Sequence, residues 1–140
     1  MTVPRHGGKP SGWTGKPFEQ WSDFETGWVA ALLEGEGTFS AAHMNKPPSP
    51  KTPRVGLAMT DADVVQRYAG LIGKRVTSKP VKPTALGNPR KPQWQVSVYG
   101  AGAIALMSYL APHMGHRRAA RIEELTAEWF TSRPHLKETA

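Results

Sequence analysis

The sequence predicts one α+β domain in which helices cover one face of an antiparallel sheet. Three observations support this fold class. Two pairs of segments alternate between apolar and polar residues, helical patterns precede and follow each pair, and 140 residues with 39% hydrophobic content suit one domain with a core. The expected element order is αββαββα, with the last helical region in two parts.

The N-terminal region lacks any periodic pattern. Residues 1–20 are rich in glycine and proline and contain basic but few acidic side chains, so we expect a flexible basic arm there. The folded domain is assigned to residues 21–133, and residues 134–140 are expected to form a C-terminal tail.

The first helix begins at a capping box. The Ser22 hydroxyl can accept a bond from a free backbone N–H, and Glu25 can reach back to the backbone of Ser22. Gly35 and Gly37 are expected to end the helix and leave Glu36 just beyond it. Glycines on both sides would then allow a metal or a phosphate to approach Glu36 closely.

The first strand pair flanks a proline-rich loop. Residues 38–44 and 54–59 alternate, whereas residues 45–53 contain four prolines and are expected to form the hairpin tip. The remaining elements are expected as a helix from about residue 61 to Gly73, a strand at 75–79, a basic loop at 80–92, a strand at 93–99, and helices at about 100–110 and 117–130.

The composition excludes several function classes. The chain has no cysteine, which excludes disulfide scaffolds, thiolate zinc sites and cysteine nucleophiles. No apolar run approaches the ~20 residues of a membrane span, and residues 1–10 lack a secretory h-region. We expect a cytoplasmic protein with no membrane partner and no small-molecule cofactor.

The charge distribution favours a polyanionic partner. The formal net charge is +7, and residues 38–94 contain ten basic residues but only Asp61 and Asp63 as acids. Repulsion among these cations is relieved by a polyanion such as nucleic acid. The two basic, proline-rich loops are consistent either with phosphate-binding hairpin tips or with solvated loops.

Residues 28–39, WVAALLEGEGTF, resemble the signature of the LAGLIDADG homing endonucleases. The predicted αββαββα order is also that family's fold, and residues 22–130 can be placed on it. The resemblance implies a sequence-specific, Mg²⁺-dependent endonuclease of double-stranded DNA, with Mn²⁺ as an alternative metal. Because the motif occurs once, it also implies a homodimer.

The motif helix carries the residues expected at the dimer interface. Small side chains at Ala30 and Ala31 allow a second helix to pack closely. The interface is assigned to Trp28, Ala30, Ala31 and Glu34. The resemblance implies that Glu36 is the metal ligand, whereas we expect Glu34 to hydrogen-bond to backbone at a helix end.

Two further positions bear on catalysis. Asp61 follows the second strand at a place where the family has a polar residue near the catalytic centre, although it also suits a helix N-cap. Family members commonly carry a basic residue near the end of the fourth strand, where this chain has Tyr99-Gly100-Ala101. This departure favours a non-catalytic DNA-binding regulator as one alternative, and an RNA-binding intron maturase is the other.

The strands are predicted to present a polar and basic face to DNA. Alternation directs Val55, Leu57 and Met59 towards the helices, so their neighbours point to the opposite face. Arginine, lysine and glutamine can read base edges in the major groove. The residues assigned to DNA binding are Ser40, Lys46, Arg54, Arg75, Thr77, Lys79, Gln93, Gln95 and Ser97.

Overall fold

The computed structural model describes residues 12–136 and confirms the predicted fold class. Its elements follow the order αββαββα, with the last helical region divided between α3 and α4. They are α1 (Asp23–Glu36), β1 (Gly37–Ala42), β2 (Thr52–Met59), α2 (Ala62–Ile72), β3 (Thr77–Lys79), β4 (Gln93–Tyr99), α3 (Gly100–Leu110) and α4 (His116–Thr131).

The four strands form one antiparallel sheet in the order β1-β2-β4-β3. The register pairs Gly37 with Leu57, Met59 with Trp94, and Lys79 with Gln93. The start of β1, the end of β2, the end of β3 and the start of β4 therefore lie at one end of the sheet. We call this the Glu36 end, because Glu36 directly precedes β1.

The core fills the space between the helices and one face of the sheet. Val55, Leu57, Val96 and Val98 point into it and are buried, together with Tyr68 and other apolar residues of the four helices. Burial raises the pKa of the Tyr68 phenol. Within residues 12–136, no helix is long and apolar enough to span a membrane.

The second half of the predicted flexible arm belongs to the domain. Trp13 and Gly15 are buried, and the Phe18 ring stacks on Tyr109 with centroids 4.5 Å apart. The Lys16 backbone also donates to the Leu71 carbonyl at 2.9 Å. The assignment of residues 12–20 to a flexible arm is wrong, because the aromatic rings of Trp13 and Phe18 pack against the domain. Residues 1–11 lie outside the described part of the chain.

Several element boundaries differ from the prediction. Strand β1 ends at Ala42, two residues before the predicted end. Helix α1 continues through Gly35 and includes Glu36, which was expected beyond the helix. Strand β2 begins at Thr52 and includes Pro53, which was assigned to the loop. Pro53 is tolerated because it pairs only with Ala41 of β1, and pairing of β2 with β4 begins one residue later at Arg54.

The third strand is shorter than predicted. It covers only Thr77–Lys79, so Arg75 lies in the segment that leads to the sheet. Gly73 ends α2 in the left-handed conformation, with φ of 65°, and Val76 then packs against the core. These contacts place residues 74–76 in a connection, and the strand position predicted for Arg75 is wrong.

Candidate metal site and nucleic-acid interface

Glu36 is an exposed carboxylate at the C-terminal end of α1. The two flanking glycines have different roles. A Cβ at Gly35 would meet open space, so this side of Glu36 is accessible. A Cβ at Gly37 would overlap the Leu33 backbone, so glycine is needed there for the turn from α1 into β1.

Glu34 makes its polar contacts within its own chain. Its Oε1 accepts a hydrogen bond from the Gly115 backbone N–H, at 2.6 Å, and its Oε2 lies 3.2 Å from Nε of Arg118. Gly115 is the N-cap residue of α4, so Glu34 links the end of α1 to the start of α4. This is a backbone bond of the expected kind, at the N-terminus of another helix.

Asp61 lies at the Glu36 end of the sheet, just beyond β2. It is the N-cap residue of α2, but its side chain makes no capping hydrogen bond, and only its backbone carbonyl accepts bonds from Val64 and Val65. The Asp61 carboxylate is exposed. The sheet topology thus places the two predicted catalytic carboxylates at the same end of the sheet.

The end of β4 is remote from this region. Strands β1 and β4 are both antiparallel to β2 and therefore run in the same direction, so Tyr99 lies at the end of the sheet opposite Glu36. The absence of a basic residue at Tyr99-Gly100-Ala101 consequently says nothing about the surroundings of Glu36.

Basic side chains reach the start of β1 from α4, which the sequence patterns did not predict. A cleft of about 410 Å³ is lined by Gly37 and Thr38 on one side and by three arginines on the other: Arg117, Arg118 and Arg121. Arg118 pairs with Glu34, and Arg121 pairs with Glu124 at 3.0 Å. Arg117 is exposed and makes no ion pair with a described acid. The only signal in the sequence was the arginine spacing of i, i+1 and i+4.

The outer face of the sheet carries most of the predicted DNA-binding residues. Cross-strand pairing sets Ser40 beside Arg54, Thr77 beside Gln95, and Lys79 beside Gln93. These side chains are exposed or partly exposed, and none of the four strands contains an acidic residue. Tyr99, which the DNA-binding set omitted, is 44% exposed and pairs with Arg54.

Arg54 is held against the sheet by two neighbours. Its Nε donates a hydrogen bond to the Ser97 hydroxyl at 3.1 Å. Its guanidinium lies over Gly56, where a Cβ would overlap the guanidinium atoms. Gly56 lies between Thr38 and Ser97 in the sheet, so small side chains surround this arginine.

Lys46 lies outside the strands. It is exposed in the loop of residues 43–51, which connects β1 and β2 and is located at the end of the sheet opposite Glu36. A backbone bond from Ser49 to the Lys46 carbonyl forms a turn there.

One face of α1 is left uncovered by its own chain. Phe24 is 62% exposed, and Gly27, Ala31 and Gly35 are exposed on the same side of the helix. Trp28 is half-buried, and Arg67 of α2 lies 4.6 Å from its ring centroid. Ala30, predicted at the interface, is instead only 5% exposed, because its side chain points into the core of its own chain.

No single group of side chains in the described chain forms a complete metal site. Among residues 12–136, no three His, Asp or Glu side chains cluster closely enough to hold an ion. Glu36 nevertheless suits a divalent cation, because its carboxylate is exposed and adjoins the negative end of the α1 dipole.

Comparison with solved structures identifies the architecture. The group I intron-encoded homing endonuclease I-CeuI, solved in complex with DNA, matches with a TM-score of 0.61 and 12% identity, over 83% of this chain and 59% of that chain. The chain has a homing-endonuclease-like fold. This agrees with the fold implied by the motif at residues 28–39.

Two other homing endonucleases share this fold. I-CvuI, in complex with its target in the presence of Ca, gives a TM-score of 0.58 and 12% identity over 80% of this chain and 70% of that chain. The archaeal intron-encoded I-Vdi141I, complexed with DNA, gives a TM-score of 0.53 and 14% identity. The match covers 84% of this chain and 87% of that chain. No family model and no curated protein matches the sequence.

Proposed function

We propose that this protein is a homodimeric, metal-dependent endonuclease that cleaves a long, pseudo-palindromic site in double-stranded DNA. The position of Glu36 carries the proposal. An exposed carboxylate ends the motif helix, at the same end of the sheet as Asp61, in a homing-endonuclease-like fold. The DNA bound by I-CeuI and I-Vdi141I makes duplex DNA the expected substrate of this chain.

The outer sheet face supports DNA as the ligand. A two-stranded ribbon fits the major groove, where arginine and lysine pair with guanine and glutamine with adenine. Arg54, Gln93 and Gln95 lie on the outer face of adjacent strands, where their side chains could make such contacts. Lys79 extends the same surface, and the strands contain no carboxylate that would repel phosphates.

A two-fold axis along the uncovered face of α1 would bring two Glu36 carboxylates together. Each Glu36 would hold Mg²⁺, with Mn²⁺ as an alternative, and two such carboxylates repel each other without a cation. When bound, the metal ions stabilise the attacking and leaving oxygens of phosphodiester hydrolysis. Glu36 is exposed and makes no ion pair with a described base, so its carboxylate is available for this task.

The neighbouring side chains have supporting roles in the proposal. Arg117 lines the cleft beside β1, is exposed, and can neutralise a phosphate near Glu36. Asp61, whose carboxylate makes no capping bond, can accept a hydrogen bond from the attacking water. Glu34 holds α4 in place through Gly115 and Arg118.

The decisive experiment compares Glu36→Gln with Glu34→Gln on the same cleaved DNA. Glu36→Gln should lower the cleavage rate by several orders of magnitude, because the metal is no longer positioned, while DNA binding persists. Glu34→Gln should lower the melting temperature more, because the Arg118 ion pair and the Gly115 bond lose their charge. Cleavage by Glu36→Gln at the parent rate would refute the site assignment.

The search for a substrate starts with a randomised duplex library, incubated with and without Mg²⁺ or Mn²⁺. Metal-dependent cuts at one sequence support the proposal. A parent protein that binds duplex DNA but never cuts it would instead be a DNA-binding regulator on this fold. Preferential binding to structured RNA would indicate an intron maturase.

A further inference from the structure

The two basic, proline-rich loops differ in the surfaces that they form. The loop of residues 80–92 begins and ends at the Glu36 end of the sheet and lines a cleft of about 430 Å³ there. Thr60, which follows β2, and Gln93, the first residue of β4, line part of it. The cations along its walls are Lys79, Lys82, Arg90 and Lys91.

These four cations lack compensating charges in the described structure. All four residues are exposed, no acidic side chain lines the cleft, and none of the four pairs with an acid of residues 12–136. Four like charges around one concavity repel one another and concentrate anions. The loop of residues 43–51 has only Lys46 and Lys51 and lies at the opposite end of the sheet.

We infer that Lys79, Lys82, Arg90 and Lys91 form a binding site for backbone phosphates of duplex DNA. The inference rests on the proposed function. It specifies that this cleft binds the phosphate backbone of the DNA and not its bases. Because Gln93 and Lys79 pair at the Glu36 end of the sheet, the cleft lies at the end that holds the proposed cleavage centre. The cleft therefore binds the DNA close to the cleavage site. The residues proposed to contact bases lie next to it on the outer face of the sheet.

The test measures the affinity for a long random-sequence duplex at a series of salt concentrations. Three proteins are compared: the parent, the cleft pair Lys82→Gln/Lys91→Gln, and the control pair Lys51→Gln/Lys74→Gln. The control removes the same charge, and its residues precede β2 and β3, at the ends of those strands remote from the cleft. Circular dichroism melting verifies that all three proteins fold.

The cleft pair should have a slope of log affinity against log salt that is shallower by about two units, because two phosphates are no longer neutralised by lysine. The control pair should keep the slope of the parent. Equal slopes for the cleft pair and the parent, or an equally reduced slope in both pairs, would overturn the cleft assignment alone. A parent that binds no duplex at low salt would overturn the proposed function as well.

Discussion

At the scale of single residues, the DNA-binding surface depends on a side chain that is already oriented. Arg54 donates to Ser97 and lies over Gly56, so its rotamer is restricted before any ligand binds. Ordering a long side chain during binding costs about 0.5–1.5 kcal/mol. Ser97 and Gly56 therefore support affinity by restricting the Arg54 side chain before DNA binds.

We expect Gly56→Ala to displace the guanidinium of Arg54 and to weaken DNA binding by about 1 kcal/mol. The free energy of unfolding of this variant should change by less than about 0.5 kcal/mol, because the displaced guanidinium is the flexible end of the Arg54 side chain. Fluorescence anisotropy measures the binding and urea unfolding the stability. Ser97→Ala serves as the matched change, since it removes the hydrogen bond without adding bulk; normal binding by both variants would contradict this role.

At the scale of elements, the stability of the start of α1 depends on the ionisation of the Glu25 carboxyl group. The Ser22 backbone N–H, and after it the Lys16 ammonium, hold the pKa of Glu25 below its ordinary value of 4.5. The stabilisation is complete above the unfolded pKa and is lost as the pH falls through the folded pKa. Glu25→Gln should lower the free energy of unfolding near neutral pH. The variant should also lose less of that free energy on acidification than the parent does, and urea unfolding at neutral and at acidic pH measures both effects. An unchanged pH profile would argue against this contribution.

The N-terminal segment of residues 12–20 is expected to stabilise the domain as much as a regular helix or strand does. A Cβ at Gly15 would overlap the Leu71 carbonyl and the Ile72 backbone, so Gly15→Ala should destabilise the domain by roughly 1–3 kcal/mol. Gly70, on the exposed side of α2, has no atoms near its Cβ position. Gly70→Ala should therefore stabilise the helix, by up to about 1 kcal/mol. A mild effect of Gly15→Ala in thermal unfolding would restore the flexible-arm interpretation.

Local patterns predicted most elements and failed where long-range contacts decide. The Ser22 capping box and the alternation in residues 93–99 depend on neighbouring residues, and both are present as expected. Trp13 and Phe18 had no periodic partners along the chain, because they pack against each other and, through Phe18, against Tyr109, far away in sequence. The sequence predicted Glu36 just beyond the motif helix, whereas the helix includes it, and the proximity of α4 to β1 follows only from tertiary packing.

At the scale of the whole molecule, the charges are segregated by surface. Five of the eleven acids lie in residues 18–37, whereas the strands and the two loops carry cations and no acid. The outer face of the sheet and the cleft of residues 80–92 share Lys79 and Gln93 and form a basic surface that reaches the Glu36 end, where the arginines of α4 line a second cleft. A phosphate backbone that follows this surface would be guided to the proposed metal site.

The uncovered face of α1 leads to the last prediction, which concerns assembly. Gly27, Ala31 and Gly35 would let a second α1 approach closely, and Phe24 and Trp28 would lose exposed apolar surface in the contact. We expect a homodimer by sedimentation. Ala31→Leu should weaken it, at a cost of roughly 1–3 kcal/mol per site, by overpacking the contact. The same substitution leaves the protomer folded, because Ala31 is exposed, and its melting curve at low concentration provides the control. A parent that sediments as a monomer both alone and on DNA would exclude this interface and, with it, the pairing of two Glu36 carboxylates.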